Sequence, residues 1–238
     1  MKTITSTFFR SNNYGALLQA YALQRTIISL GHENVILNVQ YKPSGKKKKI
    51  RSVRDLYFRC LKFIRGEKSV QLTRHFDDFR ANRLLFSERY YLSKELEENP
   101  PQADCLITGS DQVWNFHTTD FMNSRLLKYG APDLLRFSYA ASIEVMDYDE
   151  NQKQRMNEAL SHFQGISVRE ESAKEYLKSF TDYDCQRVLD PVFLLQAKQW
   201  NQIAKEPRVK GPYILCYQVQ SNKKMQKTVK SYNLVMTV

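Results

Sequence analysis

Apolar and polar positions along the 238-residue chain alternate between two kinds of segment. Short runs rich in β-branched and aromatic residues are separated by longer stretches of helical period, the pattern of an α/β protein with a largely parallel sheet. A first strand is expected over 3–9, then a polar loop, a helix over about 16–30 stopped by Gly31, and a strand over 34–41. Together these make a βαβ unit with its crossover helix. Farther on, a helix-like stretch carries Phe76, Phe79, Leu84 and Leu85, a turn falls at Asn99, Pro100 and Pro101, and "DCLITG" reads as a buried strand. A strand in "LLRFSYAAS", a polar helix over 149–163, a strand in "GISVRE" that opens a helix to Phe180, and strand plus turn in "CQRVLDPVFLL" continue the alternation.

The last segments read as strand ("PYILCYQV"), helix ("NKKMQKTVKSY") and strand ("NLVMTV"). The expected organisation is therefore a Rossmann-like lobe over 1–196, a linker helix over 197–210, and the start of a second α/β lobe over 211–238. A parallel strand with no helix after it leaves one face uncovered, so this second lobe is expected to be cut short. An unfinished sheet edge favours poor solubility or self-association.

Composition changes this picture little. With 42% hydrophobic residues and only 8 Gly and 7 Pro, the chain is neither disordered nor fibrous. No run approaches the roughly 18 apolar residues of a membrane helix, and "MKTITSTFF" lacks the features of a signal peptide, so a cytoplasmic location is expected. Cys60, Cys105, Cys185 and Cys216 show no CxxC spacing and are expected to be reduced and mostly buried. His32, His75, His117 and His162 form no metal spacing; only His117 lies near a polar cluster.

Charge adds more. The net charge of +11 is concentrated in a basic insertion at about 42–75 that includes "GKKKKIRSVR". Such a run suits a polyanion or an anionic membrane surface, and its plain alternative is a solvated insertion.

Four strand ends carry candidate chemistry. In "SNNYG", Asn12 and Asn13 can bend the chain or cap the helix, while Gly15 allows close approach by a ligand or a neighbouring backbone. In "ITGSDQVWN", Gly109 leads into Ser110, Asp111, Gln112, Trp114 and Asn115; Asp111 can accept a sugar hydroxyl or a proton, and Trp114 can stack on a pyranose face. The competing reading is a turn with a capping Asp and a core Trp. In "SVREESAKEYL", Arg169 stands where an anion would meet a guanidinium and a helix start, unless it pairs with Glu170 or Glu171. In "LDPVFLL", Asp190 precedes a proline in what is often just a turn. No GxSxG, Walker or GxGxxG pattern is present.

Taken in order, "NNYGALLQAYAL", "DCLITGSDQVWN", "ISVREESAKEYL" and "VLDPVFLL" resemble the polysaccharide pyruvyl transferase family, from the first strand to about residue 196 and less clearly beyond. The resemblance implies a glycosyltransferase-B-like architecture of two Rossmann-like lobes. It implies transfer of pyruvate from phosphoenolpyruvate to two hydroxyls of a sugar, as a ketal, in bacterial surface polysaccharide biosynthesis. No cofactor is implied, phosphoenolpyruvate being the donor substrate. Asp111 and Arg169 become the catalytic candidates, with Arg169 holding phosphate or carboxylate. Asn13, Tyr14 and Gly15 would line the cleft, Trp114 and Asn115 would face the sugar with Asp111, and Gly109, Ser110, Glu170 and Asp190 complete the substrate-binding set.

The basic run would approach an acidic glycan or a membrane leaflet carrying a lipid-linked acceptor. The family's Arg/His-bearing motif in the second lobe has no counterpart before Val238, so the chain is expected to be inactive alone unless a partner supplies the rest. The competing functions are a sugar transferase of the same architecture using a nucleotide-sugar donor, and a non-catalytic module for glycan or nucleic acid. For nucleic acid, the lysines lack interleaved aromatics apart from Tyr57, Phe58 and Phe63.

Overall fold

A computed structural model describes residues 1–39, 66–90, 93–117, 122–206, 209–212, 214, 224–225 and 227–228. The lysine run and both expected strands of the last segment fall mostly or wholly outside these residues.

Five parallel strands form the main sheet: β1 (Lys2–Ser6), β2 (Glu33–Val39), β3 (Phe86–Tyr90), β4 (Cys105–Thr108) and β5 (Leu135–Ser138), in the spatial order β3-β2-β1-β4-β5. A parallel pair, β6 (Ser167–Val168) and β7 (Gln186–Arg187), lies beyond β5, joined to that side by bridges at Phe137–Gly165 and Ala141–Val168. The chain moves outward one way through β2 and β3 and the other way through β4 and β5. The order therefore reverses between β1 and β4, and in open α/β sheets ligands generally bind at the carboxyl ends of the strands beside such a reversal.

Between the strands run α1 (Tyr14–Ser29), α2 (Gly66–Arg83), α3 (Ser93–Glu98), α4 (Met122–Arg125), α5 (Glu150–Leu160) and α6 (Glu171–Lys178). This is the expected α/β Rossmann-like fold. Backbone contacts divide the chain into Met1–Gln196 and Ala197–Val238; the second unit contains α7 (Ala197–Asn201).

Helix α1 forms where its sequence permits. Asn13, with extended backbone, caps it by accepting from the Ala16 amide at 3.2 Å, and Gly31 ends it at φ +86° with its amide on the Ile28 carbonyl. Its buried residues wrap most of its circumference because the sheet covers one side while α2 and a 3-10 turn at Pro191–Leu194 pack elsewhere. Tyr14 meets Phe76, and Tyr21 meets Phe79.

Beneath α1 the polar residues are paired. Asn34 donates to the hydroxyls of Thr3 (2.7 Å) and Thr5 (2.9 Å), and the Gln24 amide both donates to the Leu85 carbonyl and accepts from the Leu85 amide, each at 2.9 Å. On the opposite face Ile4, Leu37, Leu106, Leu127 and Tyr129 form an apolar core. A second core gathers Val113, Trp114, Met156, Leu160 and Leu177 under α5 and α6. Each fully buried aliphatic side chain contributes about 1.5–3 kcal/mol.

Several boundaries differ from the sequence expectation. β1 ends at Ser6 rather than at residue 9, because the carbonyls of Phe8 and Phe9 are taken by the side chains of Gln19 and Arg80 instead of a ladder partner. The helix carrying Phe76 and Phe79 stops at Arg83, and Leu84 and Leu85 lead into β3. That strand, "FSERY", hides from an apolar-run criterion because it ends the sheet and keeps Glu88 and Arg89 exposed. β5 stops at Ser138, where Ala140 turns the chain through φ +48°. β6 and β7 shrink to two residues each.

No helix among the described residues is long and apolar enough to cross a membrane. The two described cysteines, Cys105 and Cys185, are buried thiols, each pushed up to about 11 chiefly by burial.

Candidate functional site at the carboxyl edge

All four motif segments end at the carboxyl edge of the strands. After β1, the exposed stretch 10–15 is held from behind by Arg80 of α2. Its guanidinium donates to the carbonyls of Phe9, Arg10 and Ser11 at 2.8 Å each, to Asn12 Oδ1 at 3.0 Å, and to Asp77 at 2.7 Å. A planar fork with five donors can gather successive carbonyls in this way, as an ammonium cannot. The Asn13 side chain serves the helix cap, and half-exposed Tyr14 packs its ring on Phe76. A Cβ on Gly15 would meet the capping Oδ1 of Asn13 at 3.2 Å, so this glycine makes room for its neighbour's cap.

After β4, Gly109 takes φ +118° and approaches Tyr139 so closely that a Cβ would lie 2.1 Å from its carbonyl oxygen. The Gly109–Ser110 peptide is cis. Ser110 is completely buried and consumed by the scaffold: its hydroxyl donates to the Ala140 carbonyl at 2.7 Å and its amide to Gln19 Oε1 at 3.1 Å. Asp111 follows at φ +72° with a half-buried carboxylate that accepts from the Gln112 amide at 2.9 Å, its one hydrogen bond among the described residues. The Asp111 carbonyl takes the amides of Val113 and Ser142, fixing the loop against the segment after β5.

Trp114 corrects the sequence reading. Its ring is wholly enclosed in the second core, edge-on to Phe163, and has no face to offer a sugar. Asn115 is also buried, holding Glu144 Oε2 at 2.8 Å and the His117 amide at 3.0 Å. His117 itself forms a surface pair with Asp147 at 2.8 Å.

After β6 and β7 the two remaining motifs meet. Arg169 donates through Nε to Glu170 at 2.7 Å and through one terminal nitrogen to Asp190 at 2.9 Å. Its other terminal nitrogen makes no hydrogen bond among the described residues. Burial works against the guanidinium charge, but the hydrogen bonds and charges of Glu170 and Asp190 outweigh it and hold Arg169 above its ordinary range. Asp190 also caps the 3-10 turn, accepting from the Val192 amide at 3.0 Å. Tyr139 joins this group: burial, and then the Asp190 charge, push its hydroxyl up.

Ala141 connects the two halves of the edge. It bridges Asp111 on one side and Val168 on the other, and its carbonyl accepts from the Arg169 amide at 3.0 Å. The backbones at Asp111 and Val168 are thus two strand spacings apart, roughly 10 Å. Asp111, Tyr139, Arg169, Glu170 and Asp190 share one edge, with a carboxylate flanking a guanidinium cluster. Among the described residues no three His, Cys, Asp or Glu side chains stand close enough to hold a metal ion.

Sequence reasoning passed over Gln19, Arg80 and Tyr139. For Gln19 and Arg80 the missing signal was the partner, 91 residues away for Gln19 and Ser110, and 71 for Arg80 and Phe9.

A parallel sheet with its order reversed between β1 and β4, and polar loops gathered at that edge, defines an α/β protein of Rossmann-like architecture. The chain belongs to the polysaccharide pyruvyl transferase family, whose model matches residues 13–236. Membership makes it a transferase-type protein and points to a polysaccharide or sugar acceptor. No curated protein matches the chain.

Proposed function

We propose that the carboxyl edge binds phosphoenolpyruvate and serves transfer of its pyruvyl group to a pair of sugar hydroxyls. In this reaction a proton adds to the methylene carbon, one hydroxyl oxygen attacks the cationic carbon that results, and the C–O bond to phosphate breaks. The second hydroxyl then closes the ketal. One hydroxyl proton replaces the proton given to the methyl group, and the other leaves with inorganic phosphate.

An acid–base group and a cationic anchor must therefore face one substrate. The observation that carries the reading is the placement of Asp111 and Arg169 on either side of Ala141, with one nitrogen of Arg169 left without a hydrogen bond among the described residues. Asp111 is assigned to proton transfer, and Arg169 to the phosphate or carboxylate of the donor. Glu170 and Asp190 fix the Arg169 fork from its other edges. No cofactor enters this scheme. Asn13, Tyr14 and Gly15 border the same edge and are assigned to the cleft lining. A lipid-linked sugar and contact with a membrane surface are compatible with the basic insertion.

Calorimetric titration with phosphoenolpyruvate, inorganic phosphate and a nucleotide-sugar tests the reading. Phosphoenolpyruvate is expected to bind more tightly than either, and Arg169→Ala to weaken it about 10- to 100-fold, the worth of a charge-assisted hydrogen bond. Preference for the nucleotide-sugar, or binding unchanged in Arg169→Ala, sinks the assignment.

A further inference from the structure

We infer that Gln19 and Thr7 are positioning residues for Asp111, acting through both peptide groups of Ser110. The inference rests on the proposed role of Asp111, while its geometry stands by itself. Gln19 is buried in the second turn of α1, and Thr7 is buried one residue past β1. Gln19 Nε2 donates to Thr7 Oγ1 at 2.9 Å, to the Phe8 carbonyl at 3.1 Å and to the Ala16 carbonyl at 2.8 Å. Its Oε1 accepts from the Ser110 amide, and the Thr7 hydroxyl donates to the Ser110 carbonyl at 3.1 Å.

The peptide that enters Ser110 and the one that leaves it toward Asp111 are therefore both gripped from the β1–α1 unit. The Ser110 side chain is bonded to Ala140 on the opposite flank, so this residue cannot rotate as a rigid hinge would. Asp111 comes next, at φ +72°, a left-handed conformation that aspartate tolerates better than most residues, and its carbonyl is held there by the Val113 and Ser142 amides. Its carboxylate has one local hydrogen bond, to the Gln112 amide, and borrows its direction from the backbone it stands on. Every donor and acceptor in the relay is uncharged, so it fixes geometry without adding a charge beside the carboxylate it orients. The relay also gives "NNYGALLQ" a second role, because its last residue sets the loop of the second motif.

The test uses the Gln112 amide proton, whose NMR shift is set by its bond to the Asp111 carboxylate. In the wild-type background Asp111→Ala is expected to displace this shift, and the size of that displacement in each background is the response. Thr7→Val and Gln19→Met should at least halve the response at temperatures where thermal unfolding shows both folded. Thr7→Ser, which keeps the hydroxyl, should restore it. An undiminished response in folded Thr7→Val overturns the inference. So does loss of folding in both Thr7→Val and Gln19→Met, which would make the relay an element of stability alone. A wild-type chain that shows this pattern yet binds no phosphoenolpyruvate removes the donor reading and leaves the positioning intact.

Discussion

At the β1–β4 end of the carboxyl edge, the two peptides of Ser110 are held by amides and hydroxyls with no charge among them, those of Gln19, Thr7 and Ser110 itself, beneath the exposed loop that Arg80 grips. At the β6–β7 end, the loops are held by Arg169 between Glu170 and Asp190. The neutral network is fully buried, whereas the charged one keeps partial contact with water, about 28% of the Arg169 side chain. Burial explains the division. An uncharged network loses little on leaving water once every partner is present, while ions removed that deeply would carry a large desolvation cost. The edge therefore combines a buried neutral network at Ser110 with a partly solvated charged one at Arg169.

The heaviest blow to this arrangement is Gly109→Ala. The added methyl would have to occupy the space of the Tyr139 carbonyl, in a backbone conformation that alanine avoids. A loss of about 4 kcal/mol or failure to fold is expected, read from urea unfolding; a loss under about 1 kcal/mol would mean the two halves are not in register through Tyr139. Arg80→Met comes next, leaving three loop carbonyls without their common donor, at about 2–3 kcal/mol, with faster amide exchange at residues 10–13. Arg80→Lys should recover less than half of this, because one ammonium cannot reach all three.

Alkaline titration probes the scaffold behind both regions, since Cys105 opens β4 and Cys185 lies just before β7, at the amino ends of those strands. Burial raises each thiol from 9.0 to about 11. Below pH 9 the thiols are protonated in both folded and unfolded chains, and their contribution is complete. As pH rises toward about 11 the unfolded thiols ionise first and that contribution is lost, about 2 kcal/mol for each. Cys105→Ala and Cys185→Ala should each flatten stability over this window, compared by unfolding at pH 8 and pH 11. Equal alkaline loss in both variants and wild type would assign it elsewhere.

The smallest effect belongs to Asp190→Ala, about 1–2 kcal/mol for an ion pair partly screened by water plus a turn cap. Added salt should shrink this difference while leaving the Gln19→Met difference unchanged. A Gln19→Met difference that also shrinks in salt would erase the distinction between the halves.

The alternation of strands and helices was legible in the sequence because it rests on local periodicity, and so were the Asn13 cap and the Gly31 stop. What escaped depended on distance. Trp114 sits beside serine, aspartate and asparagine, so its local context reads as surface, and its burial is made by α5 and α6, whose sequences begin some way downstream. Arg169 pairs with its neighbour Glu170, as local sequence allowed, but also with Asp190, which no local pattern could announce. β3 was missed for the opposite reason: as an edge strand it lacks the apolar run that buried strands display. Gln19 and Arg80 looked like ordinary helix residues because their meaning lies entirely in backbone groups brought to them by the fold.

The Gln24 amide also bears on the alignment of β3. Bonded to both the N–H and the C=O of Leu85, it presents to that residue the same donor and acceptor that a neighbouring strand would. Moving β3 by one residue would leave this buried amide facing groups of the wrong spacing and turn the strand's faces over at once. The helix thus proofreads the alignment of a strand more than fifty residues downstream.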